Sequence, residues 1–336
     1  MYFTDLHCHL GGCTPPEVLK SIAYDRGLKI SPKDYKEFEK FIRFNEKPSV
    51  LELSQSDNQN LVDKKIRESQ FKNYLSRYTL IQKIASSPIA IYQSVFETVR
   101  NAYLEGQVDL LEIKLNPMLR NEEGIYDLDS IISAACDGLQ KAKTIFNKVR
   151  CGIIIESDRT FSGKQSLVLA QKALKFQDRG IVGLDISGYK KKFNLMEHFE
   201  ALKTAKEGGL GISLHTNELQ LEEDFFNPAI IRLVDRIGHG VQICTNPKKL
   251  KYVMKYNPQI VFEICPNSNI NSGLESEESL HKIIEQLRDN NTLYTICSDG
   301  FIFNGHVKEN YETLGFTNKE IEATIAVSRD ASFCKK

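Results

Sequence analysis

Short apolar, β-rich runs recur along the chain at Phe3 to His7, Asp109 to Leu115, Cys151 to Glu156, Ile181 to Ser187, Gly211 to His215, Arg236 to His239, Gln259 to Cys265 and Leu293 to Ser298. Each reads as a strand. Between most of them apolar residues return at helical spacing, as in Leu128, Ile131, Ile132, Ala135, Leu139 and Ala142, or Leu167, Leu169, Ala170 and Ala173. Strand followed by helix, repeated, implies parallel strands joined by right-handed crossovers. Runs such as Gly152-Ile153-Ile154-Ile155 and Ile260-Val261-Phe262 are apolar nearly throughout, which suits strands covered on both faces. Eight such units close most economically into an α/β fold of the (β/α)8 TIM-barrel type, with an open doubly wound sheet as the competitor.

One stretch breaks the period. From Lys29 to about Pro88 the chain is rich in Lys, Glu, Asn, Gln and Ser with interspersed aromatics (Tyr35, Phe38, Phe41, Phe44, Phe71, Tyr74 and Tyr78), and no strand is evident. Following strand one directly, it is expected to be a helical insertion over the carboxyl end of the strands, either capping a pocket there or running out into solvent. No linker, repeat or low-complexity tract divides the chain, so residues 1–336 are expected to form one domain with an insertion at about 29–88.

Composition narrows the function classes. A length of 336 residues would allow two domains, but barrels commonly pass ~250 residues as one unit. With 44 Lys+Arg against 44 Asp+Glu, the chain offers no basic surface for a polynucleotide and no polybasic patch for an acidic membrane. Partners are therefore expected to be small molecules or other subunits. The start Met1-Tyr2-Phe3-Thr4-Asp5 lacks a signal-peptide layout and no apolar run approaches the ~18 residues of a span, so a cytoplasmic location is expected. The 8 cysteines are scattered without a CxxC pair and read as reduced core residues.

The strongest local chemical signal is Asp5-Leu6-His7-Cys8-His9-Leu10-Gly11-Gly12. Two histidines two apart in a strand point to one side, a bidentate grip for a metal, while Cys8 points away. A catalytic zinc needs about three protein ligands and an open position for water. Of the other histidines, only His215 and His239 end predicted strands; His198, His281 and His306 lie in polar helical or loop surroundings. Carboxylates near strand ends are Glu156, Asp185, Glu218 and Asp299. In a closed barrel all these ends open onto one face, so His9, His215, His239 and Asp299 can converge there. One metal acting as Lewis acid would then activate water. Glu218 is placed to reach over the pocket as an acid and His239 to hold the nucleophile, and a water-poor barrel interior would keep Glu218 protonated. Lysines 190 to 192 lie beyond strand four rather than at its end, which favours one metal over a lysine-bridged pair.

The residues resemble the adenosine deaminase family of metal-dependent aminohydrolases. His7-Cys8-His9-Leu10 resembles its HxHL strand, His215-Thr216-Asn217-Glu218 its HxGE segment, and Arg236-Ile237-Gly238-His239-Gly240 its RIGHG. Cys265-Pro266-Asn267-Ser268-Asn269 is similar to its CPxSN, Ser298-Asp299 to its (S/T)D, and Gly183-Leu184-Asp185-Ile186-Ser187-Gly188 to its GxDxxG stretch, all in the family's order. The resemblance implies one zinc ion (Zn2+) held by His7, His9, His215 and Asp299. It further implies Glu218 protonating purine N1, His239 aligning the nucleophile, Asp299 also accepting a proton, and the backbone of Gly188 touching purine N3. A nucleic-acid deaminase is not expected, since its HxE and PCxxC pattern is missing from the sequence.

Departures from the family concern substrate choice. Gly11 stands where the family usually carries an Asp that meets the ribose, and Gly300 where a second Asp hydrogen-bonds purine N7. Asn217 replaces the usual Gly and adds a side chain near the pocket, and Phe301, Phe303 and Asn304 are expected to reshape the base site. Three functions follow: deamination of adenosine or deoxyadenosine to inosine or deoxyinosine plus ammonia; the same chemistry on another adenine-bearing metabolite or a free aminopurine; and a non-catalytic zinc- or nucleoside-binding protein.

Overall fold

The computed structural model describes residues 1–31, 34–43, 59–188 and 192–334, with backbone alone for 59–68. Phe44, Lys190 and Lys191, named above, lie outside the described residues. All eight expected strands are present: β1 (Phe3–His9), β2 (Val108–Leu115), β3 (Arg150–Asp158), β4 (Ile181–Ser187), β5 (Gly211–Thr216), β6 (Arg236–His239), β7 (Val261–Ile264) and β8 (Leu293–Ile296). They pair in parallel and in sequential order, β1 to β8. The ring closes beyond β8, where Cys8 bridges Asp299, the His9 amide donates to the Asp299 carbonyl at 2.8 Å and the Asp299 amide to the His7 carbonyl at 2.8 Å. The fold is thus the expected TIM barrel, and the open-sheet alternative falls.

Two strands end sooner than their apolar runs suggest. Cys265 already leads into the short helix Pro266–Asn271, and Ser298 turns from ladder pairing to Asp5, donating its hydroxyl to Oδ2 at 2.5 Å. The helical periodicities also appear. Leu128–Ile145 starts at Asp127, whose side chain caps Ser130, and buries Ile131, Ile132, Ala135, Leu139 and Ala142. Gly163–Lys175 starts at a reciprocal Ser162/Gln165 capping box and buries Leu169, Ala170 and Ala173. Each fully buried aliphatic side chain stabilises the fold by roughly 1.5–3 kcal/mol, so these faces fix the helices on the barrel.

The amino end of the barrel is plugged by the segment after the helix Asn318–Ala331. Glu112 accepts from the Phe333 amide at 2.6 Å and the Ser332 hydroxyl at 2.7 Å, and the guanidinium of Arg236 lies 3.6 Å from the centre of the Phe333 ring. Gly211 admits that ring, since a Cβ there would fall 2.2 Å from it.

At the carboxyl end lies the described part of the insertion. Tyr35–Arg43 buries Phe38 and Ile42, while Gln59–Ile84 passes over the strand ends and sends the Tyr74 hydroxyl to Asp299 Oδ2 at 3.3 Å. Of the two expectations for this segment, this helix takes the capping position. All 8 cysteines are free, and only Cys334 is not fully buried. Among the described residues, no helix is long and apolar enough to cross a membrane.

Candidate active site

The carboxyl end of the barrel gathers the expected histidines and Asp299 from four strands. His7 and His9 project from β1, His215 from β5 and His239 from the end of β6, with Asp299 just beyond β8. Their donor atoms cluster in two overlapping sets, His7/His9/Asp299 and His7/His215/His239, each within 4.8 Å. His198, by contrast, is buried elsewhere against the Ser166 hydroxyl, and His306 stacks on Phe301.

Each of the first three imidazoles is held through Nδ1 by a carboxylate. Glu263 on β7 lies 2.6 Å from His7 Nδ1, Glu156 on β3 lies 3.0 Å from His9 Nδ1, and Asp185 on β4 lies 2.8 Å from His215 Nδ1. That leaves the three Nε2 atoms turned to a common point. His9 Nε2 is 3.0 Å from His215 Nε2, and Asp299 Oδ1 is 3.4 Å from His9 Nε2 and 3.5 Å from His7 Nε2. Four ligands at zinc bond lengths and tetrahedral angles are separated by about 3.3 Å, so the donor set fits one such ion. Among the described residues the buried His7 Nε2 has no hydrogen-bond partner, which leaves it free to act as a ligand atom. Carboxylate-held histidines are also the usual support of zinc ligands.

Charge beneath this focus points the same way. Lys114 on β2 sits inside the barrel, donating to Asp185 at 2.6 Å, Ser213 at 2.9 Å and Glu263 at 3.1 Å. One level lower, Arg236 donates to Glu263 and Glu112, both at 2.6 Å. The carboxylates of Glu112, Glu156, Asp185, Glu263 and Asp299 thus outnumber the Lys114 and Arg236 cations of this layer, an imbalance that suits a dication. Burial opposes ionisation of Glu263, but Lys114, Arg236 and His7 hold it well below the usual carboxylate range. Burial likewise resists the charge on Glu156, yet His9 draws it down to about 2. Burial keeps His215 neutral, at about 3, despite Asp185.

The backbone at three of these positions is left-handed: Asn217 at φ 53°, His239 at 59° and Asp299 at 62°. Such conformations are uncommon outside glycine and concentrate at functional sites. Gly238 has a packing reason to lack a side chain, since a Cβ there would lie 2.8 Å from His7 Cε1 and 3.3 Å from His215 Cγ. The imidazoles occupy the space.

A cavity of about 610 Å³ opens above the cluster, and His9, His215, His239, Asp299, Glu218 and Gly188 all line it. Glu218 Oε1 is 3.6 Å from His239 Nδ1, and burial raises the Glu218 carboxyl, with His239 countering in part. Gly188 presents its backbone at φ 103°, where a Cβ would strike Asp158 Oδ2 at 2.7 Å.

Two expectations about the cavity are sharpened by the structure. Asn217 does not enter it: its amide donates to Thr216 Oγ1 at 2.8 Å and accepts from the Glu222 amide at 2.7 Å, so it closes its own loop. Phe301, Phe303 and Asn304 are not among its lining residues. Phe303 packs edgewise on Tyr74 and Tyr78, and Asn304 donates to the Tyr74 hydroxyl at 2.9 Å, so they shape the wall through those tyrosines. Residues the sequence reading did not single out are Glu263, Lys114, Glu112 and Arg120. The signal for the first three was a charged residue inside an apolar strand run, as in Phe262-Glu263-Ile264 and Leu111-Glu112-Ile113-Lys114-Leu115.

A family model described as adenosine deaminase matches residues 3–336. An adenosine deaminase of Clostridium botulinum is 25% identical to this chain over 337 residues, covering 99% of it and 94% of the relative. Among solved structures, an N6-mAMP deaminase of arabidopsis superposes with a TM-score of 0.78 at 21% identity, covering 100% of this chain and 94% of that one. An adenine deaminase of Arthrobacter aurescens superposes with a TM-score of 0.79 at 19% identity, covering 99% and 94%.

Proposed function

The chain belongs to the adenosine deaminase family, and from that premise we propose that it is an aminohydrolase that replaces the 6-amino group of an adenine-bearing small molecule by oxygen and releases ammonia. Adenosine, adenine and N6-mAMP, named for the three relatives above, share a nitrogen substituent on purine carbon 6. Adenosine and deoxyadenosine, giving inosine and deoxyinosine, are the reference substrates. The observation that carries the reading is the convergence of three carboxylate-held imidazoles and Asp299 on one point at the floor of a cavity that also presents Glu218.

His7, His9, His215 and Asp299 would hold one zinc ion, which when bound supplies the Lewis acidity that makes water nucleophilic near neutral pH. Glu218, whose carboxyl burial pushes upward while His239 counters in part, is placed to give a proton to ring nitrogen N1 and so make carbon 6 electrophilic. His239, whose Nδ1 lies 3.6 Å from Glu218, orients the attacking water. Asp299 takes up one proton of the water and passes it to the amine, which leaves as ammonia, while the remaining hydroxyl proton returns to Glu218 as the 6-oxo group forms. Gly188 offers its backbone to the ring because nothing projects there to hold the purine off.

The test is turnover of adenine, adenosine and deoxyadenosine by zinc-loaded protein, followed by ultraviolet change and ammonia release. Glu218→Gln should keep its zinc and lose on the order of 10²- to 10⁴-fold in kcat. Full turnover in that variant would remove Glu218 from the mechanism. His9→Ala and Asp299→Ala should lose zinc and activity together, and retained zinc would refute the ligand set.

A further inference from the structure

The cavity has one wall whose chemistry the deamination step does not use. Arg120, just past the short turn Pro117–Leu119 that follows β2, is only 5% exposed, yet no carboxylate lies within ion-pair distance among the described residues and its Nη1 has no hydrogen-bond partner. Beside it, among the described residues, Asn116 Nδ2 is also without a partner and the buried Tyr78 hydroxyl has no neighbour but the Tyr74 hydroxyl, with which it makes no hydrogen bond of ordinary geometry; all three residues line the cavity. Buried donors are nearly always satisfied, and an unpaired buried guanidinium is costlier still. Three together on a cavity wall describe a receptor for acceptor oxygens.

Their place says what carries those oxygens. A Cβ on Gly11 would fall 2.9 Å from Arg120 Nη2 and 3.1 Å from Tyr78 Cδ1, so these side chains occupy the space a residue at position 11 would fill. By the resemblance set out above, that is where the family carries the carboxylate that meets the ribose. A carboxylate accepts from sugar hydroxyls and repels anions, whereas a guanidinium only donates and takes phosphate through paired N–H groups. Replacing the first by the second inverts the preference of the sugar end from a hydroxyl to an anion.

We propose that this wall binds a phosphate carried on the sugar of the substrate, so that the protein deaminates an adenine nucleoside monophosphate in preference to the neutral nucleoside. The inference rests on the deaminase reading for its reaction, but not for its binding site. Arg120 takes two phosphate oxygens side by side, and Tyr78 and Asn116 donate to the remaining acceptor positions. The purine is thereby anchored at its far end while carbon 6 lies over the histidine cluster.

The experiment compares adenine, adenosine, adenosine 5′-monophosphate and adenosine 3′-monophosphate as substrates of the zinc-loaded protein. In parallel, calorimetry compares inosine with inosine 5′-monophosphate and inosine 3′-monophosphate as ligands. One monophosphate should exceed adenosine in kcat/KM by on the order of 10- to 100-fold, the worth of charge-assisted hydrogen bonds, and the isomer preferred identifies the phosphate position. Arg120→Gln should bring that ratio to within about threefold of one, and Tyr78→Phe should lower it less. Adenosine or adenine turned over as well as both monophosphates, or a monophosphate preference that survives Arg120→Gln, would overturn the proposal. If no compound is turned over, the deaminase reading fails alone, and the calorimetric preference for phosphorylated inosine, present in the parent and lost in Arg120→Gln, still decides the anion site. Should Arg120→Gln not fold, Arg120→Lys carries the test: it keeps the charge but not the paired geometry, and must fall between parent and adenosine-like behaviour.

Discussion

Glu263→Gln tests whether the buried charges under the histidine cluster set its affinity for metal. The parent carboxylate receives His7 at 2.6 Å, Arg236 at 2.6 Å and Lys114 at 3.1 Å, and is fully buried. The amide of Gln matches it in size, so no cavity forms; what changes is one unit of negative charge and the orientation of two atoms. His7 would lose the partner that fixes its ring, and losses of this kind weaken metal binding by about 10- to 100-fold. Lys114 and Arg236 would not be stranded, because Asp185 and Glu112 each remain at 2.6 Å. The stability cost should therefore fall below the ~3–5 kcal/mol of a fully broken buried pair. Zinc affinity by chelator competition, with melting temperature measured in zinc and in chelator, separates the two effects. Glu156→Gln is the companion: it faces His9 at 3.0 Å from the cavity side and contacts neither Lys114 nor Arg236, so it should lower zinc affinity with a smaller loss of stability. A Glu263→Gln protein that folds and binds zinc as tightly as the parent would refute the claim that this carboxylate holds the ligand.

Gly238→Ala should crowd His7 and His215, whose atoms stand 2.8 Å and 3.3 Å from the new methyl, and cost about 1–3 kcal/mol together with a measurable loss of zinc content; an unchanged zinc titration would show that the rings have room to yield. Gly188→Ala combines φ 103° with a 2.7 Å approach to Asp158, so kcat/KM should drop while zinc stoichiometry stays at the parent value, and equal kinetics would remove the backbone of Gly188 from substrate contact. Phe333→Ala strips the ring stacked 3.6 Å from Arg236 at the far end of the barrel; melting temperature should fall by the equivalent of roughly 1–3 kcal/mol while kcat per zinc-loaded molecule is preserved.

Strands were legible because burial on both faces leaves an apolar run with few exceptions, and the clustered histidines because they end such runs. The same logic concealed Glu263, Lys114 and Glu112. A charge inside an apolar strand counts against that strand locally, and only closure of the barrel brings Lys114 on β2 within 3.1 Å of Glu263 on β7, 149 residues apart. Tyr74 and Tyr78 were visible as aromatics of an insertion, but their contact with Asp299 and His9 depends on where the helix Gln59–Ile84 lies, which periodicity does not encode. Asn217 was legible in part. Its replacement of glycine reads as a side chain added near the pocket, and at φ 53° the position also asks for a residue that tolerates the left-handed region, which Asn does while its amide closes the loop. Arg120 has no local pattern at all; its meaning comes from the partners it lacks.

The two departures from the family's acids, Gly11 and Gly300, are unequal in physical terms. A Cβ on Gly300 would lie 2.8 Å from Gly12 Cα and 3.0 Å from the Gly12 carbonyl, so the obstacle is backbone. A Cβ on Gly12 would in turn meet Gly300 Cα at 2.8 Å and the Tyr78 hydroxyl at 2.8 Å. The turn after β1 and the turn after β8 are thus in contact, and Gly300→Asp requires them to separate beside Asp299, with a buried carboxylate added. It should cost more than the ~1–3 kcal/mol of simple overpacking and disturb zinc binding as well. At Gly11 the neighbours are the far ends of two side chains, Arg120 Nη2 at 2.9 Å and a Tyr78 ring carbon at 3.1 Å, which can swing aside. Gly11→Asp should therefore fold and keep its zinc, and its carboxylate would pair with Arg120 and satisfy it. A protein so altered should lose any preference for a monophosphate without losing deamination of adenosine. If Gly11→Asp instead unfolds the protein while Gly300→Asp is tolerated, the order of tightness inferred for these two contacts is wrong.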